Sequence, residues 1–260
     1  MSILTETRDS LTYVRLNRPE KLNALTGEML SELGEFFERL GVERRRGVAR
    51  AVILTGTEGG AFSAGTDIGE LQSLDVEGAR LVSERGQAVC ERIESCGVPV
   101  IAAVGGVAAG GGFELALACH LRVASSNAKF TLPETGLGVI PAYGGTQRLA
   151  RATGSTRAFE LMLAGASLTA EEALRMGLVN RVTESARLLA EAETMAREIS
   201  RQAPLAISAC LEAVTRGLTL PLEEGLKLEA ELFSQLFETE DVREGTRAFL
   251  EKRAPVFKGK

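Results

Sequence analysis

Val98–Val104 is a continuous apolar run, and it ends shortly before three consecutive glycines, Gly110-Gly111-Gly112. A short segment that admits no polar residue suits a strand buried on both faces, which needs helices or further layers on either side. The glycines then allow a tight passage into a short apolar helix from about Gly112, carrying Phe113, Leu115, Ala116, Leu117 and Ala118. This strand, turn and helix succession is the strongest constraint in the chain.

The surrounding residues repeat it. Leu11–Asn17 and Val48–Gly56 read as strands, and Leu121–Ala124 and Lys129–Leu132 as shorter ones. Thr26 is placed to cap a helix with Met29, Leu33, Phe36 or Phe37, and Leu40 on one face, stopping at Gly41. Alternation of this kind predicts an α/β class. Beyond it the pattern becomes helical. Thr169 and Glu172 form a capping box, and Gly177 ends that short helix. Helices are expected from about Glu184, Pro204 and Pro221, the last with Leu222, Leu226, Phe233 and Phe237 at helical spacing. A final helix has Glu240 and Asp241 in its first turn and Lys252 and Arg253 in its last, before Pro255. The expected organisation is a core over 1–190 that holds the site, and a helical region over 191–260 that covers it and mediates oligomerisation.

Composition narrows the partners. The 260 residues suffice for a large core, and 45% apolar with 25% charged content is ordinary for a globular protein. A net charge of −5 gives no reason to expect nucleic acid or an anionic membrane. One histidine and four cysteines (Cys90, Cys96, Cys119, Cys210) without CxxC spacing speak against structural zinc or a disulfide framework. Reduced thiols, no leader-like start and no apolar run near the roughly 20 residues of a membrane span predict a cytoplasmic protein.

Three loops carry candidate chemistry. At Gly110–Glu114, close backbone approach and free N–H groups at a helix start can hold a developing oxyanion. Glu114 opens an apolar segment, so desolvation should raise its pKa and make it a proton carrier near neutrality. The alternative is that it caps N–H groups of the first turn. Twenty residues on, Pro133 stiffens the approach to Glu134, which by itself reads as a surface glutamate. Brought together, two carboxylates can divide acid and base roles. The third loop, Ala61–Ile68 (AFSAGTDI), exposes backbone N–H groups that can supply a second oxyanion donor.

Four ordered blocks, NRPEKLNAL from Asn17, AFSAGTDI, IAAVGGVAAGGGFELALAC and LPETGLGVIPAYGGTQRL, resemble the enoyl-CoA hydratase/isomerase (crotonase) family. The likeness continues through GLVNRV at Gly177–Val182 to Phe249–Arg253. The resemblance implies a spiral of ββα units with a helical C-terminal region, assembled as a trimer or dimer of trimers. It places Glu114 and Glu134 on the two glutamates that handle water and its proton. It also places the Thr66 and Gly111 amides on the oxyanion hole for a thioester carbonyl. Lys21, Leu22 and Ala24, with Ala64, Gly65, Thr66, Asp67 and Ile68, match positions that grip coenzyme A. Phe249 and Lys252 match positions that reach the nucleotide end, often of a neighbouring subunit's ligand.

The implied activity is reversible syn hydration of a 2-trans-enoyl-CoA to a 3-hydroxyacyl-CoA. Coenzyme A belongs to the substrate, and neither a metal nor a separate cofactor is called for. Because one fold hosts many reactions, double-bond isomerisation and hydration of branched or glutaconyl-type acyl groups stand as alternatives. RNA binding, a property of some relatives, is disfavoured by the acidic balance and the lack of a basic, aromatic-rich face. Three positions depart from the family pattern. His120 stands where Asp is usual, and its plainer reading is a structural pairing near a strand start. Thr66 replaces a common Ala, which leaves the amide intact. Ala142-Tyr143 occupies the IPxxGG turn, where Tyr143 either shapes the acyl pocket or packs.

Overall fold

The computed structural model describes residues 1–43 and 49–260. Its first half runs β1 (Ile3–Arg8), β2 (Leu11–Leu16), α1 (Gly27–Glu43), β3 (Ala51–Thr55), α2 (Ile68–Leu71), α3 (Val76–Ser95), β4 (Val100–Val104), β5 (Val107–Ala109) and α4 (Gly111–Ala118). There follow β6 (Leu121–Ser125), β7 (Lys129–Thr131), α5 (Gly145–Thr153), α6 (Ser155–Ala164), β8 (Ser167–Thr169), α7 (Ala170–Arg175) and β9 (Arg181–Thr183). Four helices complete the chain: α8 (Leu188–Ser200), α9 (Pro204–Gly217), α10 (Leu222–Leu236) and α11 (Glu240–Leu250).

Among the described residues there are two sheets. The larger has the order β1-β2-β3-β4-β6-β9, and the smaller β5-β7-β8. Only the β1/β2 hairpin of the larger sheet is antiparallel, turned by Asp9 and Ser10 at φ 47° and 65°. Paired left-handed residues match the twist of the flanking strands. The strands β3 and β4 are buried on both faces, and their alternation shows why. Val52, Leu54, Val100, Ala102 and Val104 join the main core beneath α1, α3 and α4. Ala51, Ile53, Ile101 and Ala103 meet Leu188, Ala192, Met195 and Ala196 of α8 on the other face. A strand covered on both sides can carry no polar alternation, which is what the apolar run required.

The ββα repeat creates the site. β4 lies in the large sheet, β5 in the small one, and α4 follows; β6 and β7 repeat the same division. β5 and β7 therefore pair in parallel, with Ala109 opposite Thr131. The interval between the Gly110–Gly112 turn and the Pro133 turn is thus one structural repeat. An isolated parallel bridge, Ser63 with Ala108, adds the loop after β3 to the same edge.

Several expectations need correction. α1 starts after Thr26, whose hydroxyl accepts from the Met29 amide (3.2 Å), and both Phe36 and Phe37 are buried. Gly41 lies inside α1 instead of ending it, facing the backbone of Cys96 just past the end of α3. The strand expected over Val48–Gly56 is confined to Ala51–Thr55, and Val48 lies outside the described residues. α11 ends at Leu250, so Lys252 and Arg253 are not in its last turn: Lys252 has φ 55°, and Arg253 pairs with Glu244 (2.7 Å). Asp241 is buried and accepts the amides of Lys258 (2.7 Å) and Gly259 (2.8 Å), tying the C-terminal tail back to α11. The capping box of α7 forms as expected from Thr169 and Glu172. α8 packs on the large sheet through Leu188, Ala192, Met195 and Ala196. No described helix is long and apolar enough to cross a membrane.

Candidate active site

Three chain segments leave the small-sheet edge side by side. From the first, Ser63 donates its amide to Val107 O (3.1 Å) and accepts at its carbonyl from Ala109 (2.9 Å). From the second, the Gly110 amide donates to Thr131 O (2.9 Å), tying the start of α4 to the end of β7. Beyond this edge lie Thr66, Gly111 and Glu134 in turn.

Thr66 is bridged on its other side to Leu25: the Leu25 amide donates to Gly65 O (2.7 Å), and the Asp67 amide to Leu25 O (2.9 Å). That register turns the Thr66 N–H away from Leu25. Gly111 opens α4, so its N–H has no place in the helix ladder. Among the described residues neither amide donates to a protein acceptor. Gly65, at φ 92°, makes the approach possible: a Cβ there would lie 2.7 Å from Ala109 O and 3.2 Å from the Gly111 nitrogen.

Glu114 is 1% exposed. Its Oε1 accepts the amides of Tyr143 (2.8 Å) and Gly145 (2.6 Å), so it anchors the 143–145 turn and does not cap its own helix. Burial raises its pKa to about 7; the two amides pull the other way, and the charge of Glu134 adds to the rise. Glu134 begins a short 3-10 helix, Glu134–Leu137, after Pro133. Burial also raises its pKa. A Cβ on Gly110 would come within 2.8 Å of Glu134 Oε1, so this carboxylate lies against the start of α4, one helical turn before Glu114. Glu134 Oε2 is buried with no hydrogen-bond partner among the described residues. The structure thus brings Glu114, Glu134, Thr66 and Gly111 together.

The positions expected to hold coenzyme A fall in two groups. Lys21 ends a short 3-10 helix, Pro19–Lys21, and Leu22 and Ala24 follow it; the Ala64 amide donates to Leu22 O (2.9 Å), so this stretch runs beside Ala64–Ile68. Lys21, Leu22, Ala64 and Ile68 are exposed. Asp67 caps α2 through the Gly69 amide (2.9 Å), and the Arg18 guanidinium (3.0 Å) holds its carboxyl below the usual range. Phe249 and Lys252 lie elsewhere, near the end of α11. Among the described residues no hydrogen bond or ion pair joins them to either stretch. Phe249 is 83% exposed.

Arg148, its partner Glu94 and Gly145 act on the site without a signal of their own in the sequence. Arg148 donates to Tyr143 O (2.8 Å) and forms a two-pronged pair with Glu94 (2.7 Å at each prong). The Gly145 amide is the shorter of the two donors to Glu114. Arg148 and Gly145 both stand in the quoted GGTQRL block, but a backbone donor leaves no mark of its own in a sequence. His120 takes the plainer of its two readings: Nδ1 accepts the Val100 amide (3.0 Å), Nε2 lies 3.2 Å from Glu94 O, and burial lowers its pKa.

A mixed α/β fold that gathers one buried carboxylate, one half-buried carboxylate and two unengaged amides at one edge has the groups of an acid–base enzyme site. A family model described as enoyl-CoA hydratase/isomerase matches residues 6–260, and the chain belongs to that family. Within it the chain is 40% identical to the short-chain-enoyl-CoA hydratase of Clostridium acetobutylicum over 252 residues, 97% of this chain and 95% of that one. It is 39% identical to the crotonyl-CoA hydratase of Syntrophomonas wolfei over 256 residues, covering 98% and 97%. Among solved structures, enoyl-CoA hydratase from Bacillus anthracis superposes with a TM-score of 0.95 at 36% identity over the whole of both chains.

Proposed function

We propose that this enzyme is an enoyl-CoA hydratase, a hydro-lyase that adds water reversibly and syn to a 2-trans-enoyl-CoA. The observation that carries the mechanism is the coupled pair of Glu114 and Glu134, one of them with a buried oxygen unpartnered among the described residues, beside two unengaged amides. In this reading the amides of Thr66 and Gly111 receive the thioester oxygen. Water oxygen bonds to the β-carbon, and the electron pair of the double bond moves through the α-carbon onto the thioester oxygen. One carboxylate takes the water proton, and a proton returns to the α-carbon as the carbonyl reforms. Each amide is worth about 3 kcal/mol of transition-state stabilisation.

Lys21, Leu22, Ala64 and Ile68, the exposed residues of the stretches Lys21–Ala24 and Ala64–Ile68 around Thr66, suit the coenzyme A moiety. Apolar side chains exposed along α10, with Phe249 on α11, support assembly into a trimer or dimer of trimers in which the helical C-terminal region meets neighbours. Reduced thiols at Cys90, Cys119 and Cys210 accord with a cytoplasmic setting.

The test is loss of 2-enoyl thioester absorbance with crotonyl-CoA, together with identification of 3-hydroxybutyryl-CoA as product. Glu114→Gln and Glu134→Gln should each lower kcat by about 1000-fold, with unchanged circular dichroism. Near-normal turnover in either variant removes the acid–base assignment. Conversion of 3-enoyl-CoA without any hydration of 2-enoyl-CoA would instead make the chain an isomerase.

A further inference from the structure

Thr66, which departs from the family pattern, touches Tyr143. The Thr66 hydroxyl donates to Tyr143 Oη at 2.9 Å. Tyr143 is 2% exposed, and its ring fills the gap between α3 and the start of α4. A Cβ on Gly86 would overlap the ring, and one on Gly111 would lie 2.7 Å from its edge. The backbone on either side is fixed as well. Ala142 O accepts from the Ser83 hydroxyl (2.8 Å) and Gln87 Nε2 (3.0 Å), while Tyr143 itself bonds Glu114 and Arg148 through its amide and carbonyl.

Behind this turn lies a cleft of about 1450 Å³, bounded by Ser83 and Gln87 of α3, by Ala142 and Gly144, and by Leu211 and Val214 of α9. Ala142 and Gly144 border that space, whereas the ring between them turns to the opposite side, toward Thr66 and Gly111. The ring therefore stands between the carboxylate site and this cleft.

We infer that Tyr143, held by Thr66, is a specificity-determining wall that closes the acyl end of the site and restricts the enzyme to short 2-enoyl groups. This rests on the hydratase reading above. A planar ring seated against two glycines is pinned at its hydroxyl by Thr66. An acyl tail extending past the β-carbon toward α3 meets it. Removing the ring joins the site to the cleft, which is large enough to take a medium-length chain.

Steady-state hydration of straight-chain 2-enoyl-CoA substrates, from four to about ten carbons, tests this in the full-length enzyme. The parent should lose about 100-fold in kcat/KM between the ends of that series. Tyr143→Ala should raise the ten-to-four-carbon ratio by about tenfold or more, whatever it does to the absolute rate, because the ratio cancels any loss of folded protein. Tyr143→Phe, which keeps the ring, should retain the cut-off. Should the Ala variant fail to fold, Tyr143→Leu gives the same ratio from a smaller cavity. A parent active on four carbons and equally active on ten overturns the inference while leaving hydration intact. An unchanged ratio in both shortened variants, or a cut-off lost in Tyr143→Phe, overturns it too. A parent inactive at every length removes the hydratase reading and this inference together.

Discussion

Glu114 holds a carboxylate where water is scarce, and this sets a thermodynamic cost. Its pKa rises from the ordinary 4.5 to about 7 on folding, through burial above all. Between those values the folded chain binds a proton that the unfolded chain releases, so this group favours folding at low pH. Its penalty grows as pH climbs through that window and levels off above about 7. Glu114→Gln, which keeps an oxygen acceptor for the Tyr143 and Gly145 amides, should therefore gain stability over the parent as pH rises from about 5 to 8. Paired thermal melts across that range read the difference. A difference that stays flat or shrinks with pH would contradict the burial argument. At this scale Glu114 stood out in the sequence because it sits in an apolar segment, whereas Glu134 read as a surface glutamate and was singled out only by the family resemblance. The setting of Glu114 was not legible there. Oε1 of Glu114 is held by the amides of residues 143 and 145, and amide positions depend on a turn whose path no side-chain pattern records.

That turn is an element in its own right, and α5 steadies it. Arg148, in the first half of α5, reaches back to Tyr143 O and outward to Glu94 near the end of α3. The pair is partly buried, with side-chain exposures of 19% and 28%. Arg148→Met should cost about 2 kcal/mol of stability, less than a fully buried pair because water reaches both partners. It should also lower kcat by about tenfold through a looser turn. A purely structural role would leave the titration of Glu114 alone. Loss of the Arg148 charge should instead move the pH–rate midpoint upward, since that cation favours the ionised carboxylate. An unshifted midpoint would reduce Arg148 to packing. The elements themselves were unevenly legible. The runs of β3 and β4 stood out because both faces are covered, and α1 because its apolar stripe is wide. α3 is longer than α1, yet only Gly86, Val89, Cys90 and Ile93 are buried in it. It carries two glycines and offers little apolar periodicity, though it forms one wall of the Tyr143 pocket.

Across the whole molecule, the most telling feature is apolar surface. Phe233 is 62% and Phe237 58% exposed, their rings 5.2 Å apart, with Leu222 and Leu226 exposed on the same helix. A patch of this kind marks an interaction surface. With the proposed assembly, sedimentation should give a mass that is a multiple of three protomers. Phe233→Asp combined with Phe237→Asp should shift it toward the single chain and make the melting temperature depend on protein concentration. A monodisperse single chain in the unaltered protein would rule the assembly out. The helical spacing in α10 was evident before the structure, but the direction it faces was not, since a stripe reads alike whether it meets its own core or a neighbour's.

The bridge between Leu25 and Thr66 has an outcome for substitution in this loop. Because alternate peptide groups along residues 65–67 face opposite ways, adding or deleting one residue between Phe62 and Thr66 would invert which amide looks into the cleft. Side-chain exchange at position 66 leaves that orientation alone. The residue type at 66 can therefore be exchanged without moving the amide, whereas the length of the loop cannot be changed.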